Sequence, residues 1–129
     1  MYNFLTQQSI FYASQYGFRP GHSTSNAIVE FATDTLKGFE NHEAILSVFL
    51  DLSDAFDTID HSILLKKLHH YGVSGQALEW FRSYLSDRKQ YISYKDTNSK
   101  IMTIIYGVHQ GSVLGPLLFI IYTKTSLVA

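Results

Sequence analysis

The feature that most constrains the fold is the run Ala44 to Leu50, which is apolar except for Ser47 and is followed directly by Asp51. Its length is typical of a strand and is short for a helix, and polar residues bound it on both sides. Side chains on both faces of such a strand have to be covered. The run therefore predicts a buried central strand of a sheet, with Asp51 at its carboxyl end.

Helical patterns lie on both sides of this strand. Apolar residues recur at a spacing of three or four, N-cap residues such as Asp60 precede some of the patterns, and Gly72 ends one of them. Pro116 lies near the first turn of the last pattern, where proline is tolerated. The sequence predicts helices over residues 4–12, 24–39, 60–71, 74–85 and 113–122.

Two further segments, Lys89 to Lys95 and Lys100 to Tyr106, are rich in Tyr, Ile and Thr. Such residues favour strands. The polar residues Asp96 to Ser99 between them are typical of a turn, so the two segments are predicted to form a hairpin. Strands interleaved with helices predict an α+β fold.

Composition narrows the class of protein. The chain has 129 residues, enough for one domain but few for a complete polymerase, and no cysteine that could serve as a nucleophile or a metal ligand. Its net charge of −1 lacks the basic excess of a typical nucleic-acid-binding domain. No apolar run is long enough for a membrane span and no signal peptide is visible, so an intracellular protein without a membrane segment is expected, in the cytoplasm or the nucleus.

Asp51 is the first candidate for chemistry. A carboxylate at the end of a buried strand is rigidly held, and the backbone amides of the following turn lie near it. Magnesium is bound by one or two carboxylates together with substrate phosphates, so this arrangement suits a metal and a triphosphate. The alternative is that Asp51 only caps the next turn.

Three blocks, in this order, resemble the signature blocks of reverse transcriptases of non-LTR (LINE-like) retrotransposons, and the segments 64–68 and 80–85 resemble the same family. Chance agreement of three ordered blocks is much less common than that of a single motif. The blocks are QYGFRPGHST (residues 15–24), FLDLSDAFDTIDH (49–61) and GVHQGSVLGPL (107–117).

The resemblance implies a fold and a reaction. It implies part of the fingers, at about residues 1–43, and the first half of a palm with an antiparallel sheet packed on helices, at 44–129. Asp51 corresponds to the first catalytic aspartate, and the backbone carbonyl of Leu52 would help it to hold Mg²⁺ or Mn²⁺. The parent enzyme would use an RNA template, a DNA primer and deoxynucleotide triphosphates, and would transfer nucleotides with two metal ions.

The resemblance also assigns binding residues. Phe56 matches an aromatic position that excludes a ribose 2′-hydroxyl, the alternative being an ordinary core phenylalanine. Arg19 matches a position that contacts template or nucleotide, although a surface arginine needs no such role. The full assignment is Ser53, Asp54, Ala55, Phe56, Gln110 and Gly111 for nucleotide binding, and Arg19, Gly111 and Ser112 for template contact.

The chain also departs from the family. The paired aspartates expected beyond the last helix are missing, His109 replaces a usual proline, and Asp54 stands where a lysine is common. A fragment that is inactive alone, with an exposed sheet edge and poor solubility, is therefore expected. The alternative function is that of a non-catalytic relic that binds RNA or protein.

Overall fold

Five helices and one long hairpin make up the regular structure of residues 2–8 and 10–124, the part of the chain that this computed structural model describes. The combination of helices with small antiparallel sheets confirms the α+β class. In that part of the chain no helix is long and apolar enough to cross a membrane. The helices are α1 (Tyr2–Gln7), α2 (Thr24–Glu40), α3 (His61–His70), α4 (Gly75–Leu85) and α5 (Gly115–Thr123), and the strands are β1 (Arg88–Gln90), β2 (Ser93–Tyr94), β3 (Thr97–Asn98) and β4 (Met102–Ile104).

The chain divides into two units, Asn3–Ser53 and a second one that begins at Asp54. In the first unit, α2 begins where the cap residues predicted it: the Ser23 hydroxyl accepts a hydrogen bond from the Asn26 amide at 3.2 Å. The apolar side chains of α2 remain largely exposed, with Leu36 and Phe39 both at 62%. Helical periodicity therefore predicted the helix correctly, but not the burial of its apolar face.

The predicted buried strand at 44–50 is wrong. Residues 44–50 form no strand, and Leu46 and Leu50 are 89% and 90% exposed. A strand needs a neighbour that accepts and donates its backbone hydrogen bonds. All strands of the described residues lie between Arg88 and Ile104 and pair with one another, so none is available to residues 44–50.

The second unit is built around α3, which packs against both α4 and α5. Asp60 caps α3 as predicted, and its carboxylate accepts hydrogen bonds from the amides of Ser62 and Ile63. The apolar side chains that α3, α4, α5 and their connections bury form the core of this unit. They are Ile59, Leu64, Leu68, Val73, Phe81, Leu85, Val108, Leu118, Ile120 and Ile121.

The predicted hairpin is confirmed, with one change in its turn. β1 pairs antiparallel with β4, with Lys89 opposite Thr103, and β2 pairs with β3, with Tyr94 opposite Thr97. The turn therefore consists of Lys95 and Asp96, and the predicted turn at 96–99 was placed too late. Lys95 has a φ of 52°, as the first residue of a tight two-residue hairpin turn often does.

Candidate functional site

Asp51 lies in the segment without regular structure that ends the first unit, and it is exposed. Leu52, whose carbonyl is the second predicted metal ligand, is 63% exposed. Neither residue is turned into a core, so both are accessible to a hydrated ion. Within residues 2–8 and 10–124, however, no three His, Asp or Glu side chains are grouped so that they could hold a metal by themselves.

Arg19 is half-buried and its guanidinium is engaged within the first unit. Its Nη1 donates to the carbonyls of Tyr12 at 2.6 Å and Gln15 at 3.2 Å, and the guanidinium lies 5.3 Å from the centre of the Phe11 ring. These contacts hold the loop before α2. Arg19 therefore has a clear local role, and its predicted contact with a template stays a prediction.

In the second unit, residues 54–58 form a tight turn. The carbonyl of Asp54 accepts hydrogen bonds from the amides of Asp57 at 2.9 Å and Thr58 at 3.1 Å, and Asp54 has a φ of 52°. Phe56 is half-buried, and its ring lies 4.9 Å from that of Phe119 in α5. The ring of Phe56 is therefore held by α5, as expected of a core phenylalanine, and its predicted role in sugar selection stays a prediction.

The loop that begins at Gly107 lies directly against this turn. The amide of Gly107 donates to the carbonyl of Ile59 at 2.7 Å, and the amide of Val108 donates to the carbonyl of Phe56 at 2.9 Å. A Cβ atom at Gly107 would lie 2.9 Å from the Cα of Asp57, and Gly107 has a φ of +86°. Only glycine allows so close an approach of the two backbones.

Side chains reinforce the same junction. Gln110 donates from Nε2 to Oδ2 of Asp57 at 3.2 Å, and Nε2 of His61 lies 2.7 Å from the carbonyl oxygen of Gly107. Because a carbonyl only accepts, this His61 nitrogen carries the hydrogen. Sequence reasoning assigned no role to Asp57 or His61, since their partners lie about fifty residues away. The only signal in the sequence was that both belong to the block 49–61.

Gly111 and Ser112 continue the loop towards α5. Gly111 has a φ of +80°, and a Cβ built there would meet no atom within 4 Å, so this backbone is open to solvent. The hydroxyl of Ser112 donates to the carbonyl of His109 at 2.7 Å and accepts from the amide of Gly115 at 3.0 Å. Ser112 thus satisfies an amide at the start of α5, while Gly111 leaves room for a ligand.

Two charged groups form hydrogen bonds near the two ends of α3. At its start, hydrogen bonds from the Ser62 hydroxyl and from the Ile63 amide lower the pKa of Asp60 below its usual value of 3.8. At its other end, Lys67 donates to the carbonyls of Tyr122 and Lys124, the latter at 3.0 Å, and partial burial lowers the pKa of Lys67. α3 is thereby tied to the end of α5.

A family model described as "Reverse transcriptase (RNA-dependent DNA polymerase)" matches residues 1–128. The chain belongs to the reverse transcriptase family. The family match and the relatives below confirm the predicted resemblance to reverse transcriptases of non-LTR retrotransposons. The chain is a part of such a reverse transcriptase.

Curated relatives of the chain support the same family. The chain is 34% identical, over 92% of its length, to the "Probable RNA-directed DNA polymerase from transposon BS" of Drosophila melanogaster, and covers 13% of that protein. It is 35% identical, over 85% of its length, to the "RNA-directed DNA polymerase from mobile element jockey" of Drosophila melanogaster, and covers 12% of it. The corresponding jockey protein of Drosophila funebris is 36% identical over 84% of the chain, which again covers 12% of that protein. The chain thus spans about an eighth of these relatives, and no solved structure matches it.

Proposed function

We propose that the chain contributes the first metal-binding aspartate and the nucleotide-binding loop to RNA-directed DNA synthesis. The observation that carries this proposal is the hydrogen bond from Gln110 to Asp57, together with the two backbone hydrogen bonds beside it. They join the segment 54–60 to the segment 107–111, and the resemblance assigns Asp54, Ala55 and Phe56 of the first and Gln110 and Gly111 of the second to one bound nucleotide. Residues that act on one nucleotide have to lie together, so the contact between these two segments supports the proposal.

Asp51 and the backbone carbonyl of Leu52 are the proposed ligands of Mg²⁺ or Mn²⁺. Both are exposed oxygen donors on adjacent residues, which is what a hard cation requires. With no group of three ligating side chains in the described residues, triphosphate oxygens and water would complete the coordination. Bound ions of this kind lower the pKa of an attacking hydroxyl and neutralise charge on the phosphates.

The nucleotide is proposed to contact Ser53, Asp54, Ala55, Phe56, Gln110 and Gly111. Gln110 already donates one N–H to Asp57, which orients its amide and leaves the carbonyl oxygen to accept a hydrogen bond from the ligand. Gly111 offers an open backbone. The ring of Phe56, in contact with that of Phe119, is the proposed group for sugar selection.

The partners follow from the same proposal. An RNA template would contact Arg19, Gly111 and Ser112, and a DNA primer would supply the 3′-hydroxyl. We assign residues 1–43 to the fingers side and 44–129 to the palm, because the predicted metal ligand at 51 and the nucleotide loop both fall in the later segment.

A chimera tests the proposal. The segment of the jockey polymerase of Drosophila melanogaster that matches this chain is replaced by residues 1–128, and primer extension is measured with Mg²⁺ and deoxynucleotides. We expect synthesis by the chimera and a fall to background in Asp51→Asn. The chain alone is expected to give no product, since its 129 residues contain no adjacent aspartates.

The matched control is Asp34→Asn, an exposed aspartate in α2 whose only described ion pair is a surface contact with Lys37 at 3.5 Å. It should leave synthesis unchanged. Equal activity of the Asp51→Asn and unsubstituted chimeras would refute the metal assignment. A folded chimera that makes no product would favour the non-catalytic alternative.

A further inference from the structure

The hairpin segment 88–106 concentrates positive charge. Of the ten Lys and Arg residues of the chain, four lie here, whereas only one of its eleven acidic residues, Asp96, does. The remainder of the chain is correspondingly acidic. A positive hairpin on such a chain creates a local field that attracts a polyanion. The four basic residues are Arg88, Lys89, Lys95 and Lys100.

Within residues 2–8 and 10–124, no carboxylate forms an ion pair with these four charges. Both ion pairs among residues 2–8 and 10–124 lie on helices, Lys37 with Asp34 on α2 and Arg82 with Glu79 on α4. The hairpin lysines have no carboxylate partner in the same part of the chain. They are therefore available to a ligand's phosphates.

Exposed aromatic rings lie in the same segment as these charges. Tyr91 and Tyr94 are 57% and 69% exposed, and Tyr106 at the far end of the hairpin is 52% exposed. The ammonium group of Lys95 lies 5.3 Å from the centre of the Tyr94 ring, so a ring and a cation form one joint surface. Cations that track a backbone beside rings that stack on bases are the usual elements of a surface for single-stranded nucleic acid.

The hairpin also borders a cavity of about 690 Å³. Its lining includes Arg88 and Lys89 from β1 on one side and His109 and Gln110 from the nucleotide loop on the other. Arg88 is positioned there by Tyr84, whose carbonyl it contacts at 3.4 Å and whose ring centre lies 5.5 Å from the guanidinium. Arg88 and Lys89 thus line the same cavity as Gln110 and the acidic Asp57, whereas Lys95 and Lys100 do not line it.

We propose that the hairpin 88–106 binds a single strand of nucleic acid, with Lys89, Lys95 and Lys100 contacting phosphates and Tyr91 and Tyr94 stacking on bases. The inference deepens the proposed function and rests on it for the class of partner, because the strand would be the template beyond the reacting nucleotide. It requires neither a metal nor a triphosphate, so it is tested without them.

The test is fluorescence anisotropy with labelled oligouridine and oligodeoxythymidine, the whole 129-residue chain, EDTA and a series of salt concentrations. Replacing the three hairpin lysines by Gln should reduce the slope of log affinity against log salt by about 2, since each phosphate contact to a single strand contributes about 0.7. The control removes three exposed cations elsewhere and should leave the slope unchanged. The two sets are Lys89→Gln, Lys95→Gln and Lys100→Gln against Lys37→Gln, Lys66→Gln and Arg82→Gln.

A second variant separates stacking from charge. Tyr91→Ala with Tyr94→Ala should weaken binding at least about 30-fold at every salt concentration, since each stacked base contributes about 1–3 kcal/mol. The slope should stay the same, because stacking on aromatic rings is largely independent of salt. Phe39→Ala, which removes a 62% exposed ring from α2, should leave the affinity unchanged. Circular dichroism checks that each variant folds, and if the triple variant does not, Lys100→Gln alone should lower the slope by about 0.7.

Three results would overturn the inference: no binding by the unsubstituted chain, an equal fall in slope in the control set, or tighter binding of duplex than of single strands. Because EDTA is present, a failure of the Asp51 metal site leaves this assay unaffected. Conversely, an inactive chimera with intact oligonucleotide binding would favour the non-catalytic alternative and leave the hairpin assignment standing.

Discussion

Gly107 and Gly111 lie four positions apart in the same loop, and replacing each by alanine gives a matched pair of perturbations. Both have left-handed backbones, with φ of +86° and +80°. They differ in their surroundings. A Cβ at Gly107 would lie 2.9 Å from the Cα of Asp57 and 3.0 Å from its carbonyl oxygen, whereas a Cβ at Gly111 would meet nothing within 4 Å.

The expected free-energy costs follow from this difference. The left-handed conformation costs an alanine about 1–2 kcal/mol, and the lower entropy of the unfolded chain returns about 0.4–1 kcal/mol at either site. Gly111→Ala should therefore destabilise the loop by about 1 kcal/mol. At Gly107 the clash is with backbone, which cannot rotate away as a side chain would, and such overpacking adds about 1–3 kcal/mol. Gly107→Ala should cost about 2–4 kcal/mol.

Native-state hydrogen exchange measures the two costs at the junction itself. The reporter is the amide of Val108, which donates to the carbonyl of Phe56 at 2.9 Å. Its protection should fall at least about 30-fold in Gly107→Ala and no more than about tenfold in Gly111→Ala, since 1.4 kcal/mol corresponds to a factor of ten. Equal losses in the two variants would refute the claim that the close approach of two backbones, rather than φ alone, requires Gly107.

Three further predictions concern stability and solubility. The Ser62 hydroxyl lowers the pKa of Asp60. The stabilising effect of the Asp60 carboxylate should therefore be complete above its usual pKa of 3.8 and be lost as the pH falls through the lowered pKa of the folded state. Acid titration followed by circular dichroism should show that Asp60→Asn loses this pH dependence. Lys67→Met should lower the free energy of unfolding in urea by about 1.5–3 kcal/mol, because charged hydrogen bonds to the end of α5 are lost, and an unchanged midpoint would contradict the contact. Leu46→Lys with Phe49→Lys, at positions 89% and 82% exposed, should raise the soluble fraction on gel filtration without loss of helix signal, and a chain that is already monodisperse would contradict the premise.

Helices α2, α3 and α4 could be predicted because their signals are local, whereas the helix predicted over 4–12 ends at Gln7. Ser23 and Asp60 accept hydrogen bonds from amides two or three residues ahead, and Gly72 follows the last turn of α3. Such signals depend on neighbours in the sequence and need no knowledge of the fold. The hairpin was found for the same reason, although its turn at Lys95 and Asp96 is tighter than the polar residues indicated.

The contacts of the candidate site could not be predicted in this way. The hydrogen bond between Gln110 and Asp57 joins residues 53 positions apart, and that between His61 and Gly107 joins residues 46 apart. The resemblance identified both segments, but it did not show which side chains of the two meet. The packing of α5 on α3 brings the loop 107–111 to the turn 54–58. Sequence periodicity reports which face of a helix is apolar, but it does not report what covers that face.

The wrong prediction of a strand at residues 44–50 also concerns a contact with a distant part of the chain. Its apolar residues specify a strand only when another strand is available, because each backbone N–H and C=O needs a partner outside the segment. The described residues supply none, and they leave Leu46, Phe49 and Leu50 exposed in front of the predicted metal ligand Asp51. An assembly that pairs this segment would both cover the apolar side chains and fix the position of the Asp51 carboxylate. The pairing of residues 44–50 and the geometry of the metal site are therefore expected to arise together, and hydrogen-exchange protection of these amides should appear only in an assembly that also binds the metal.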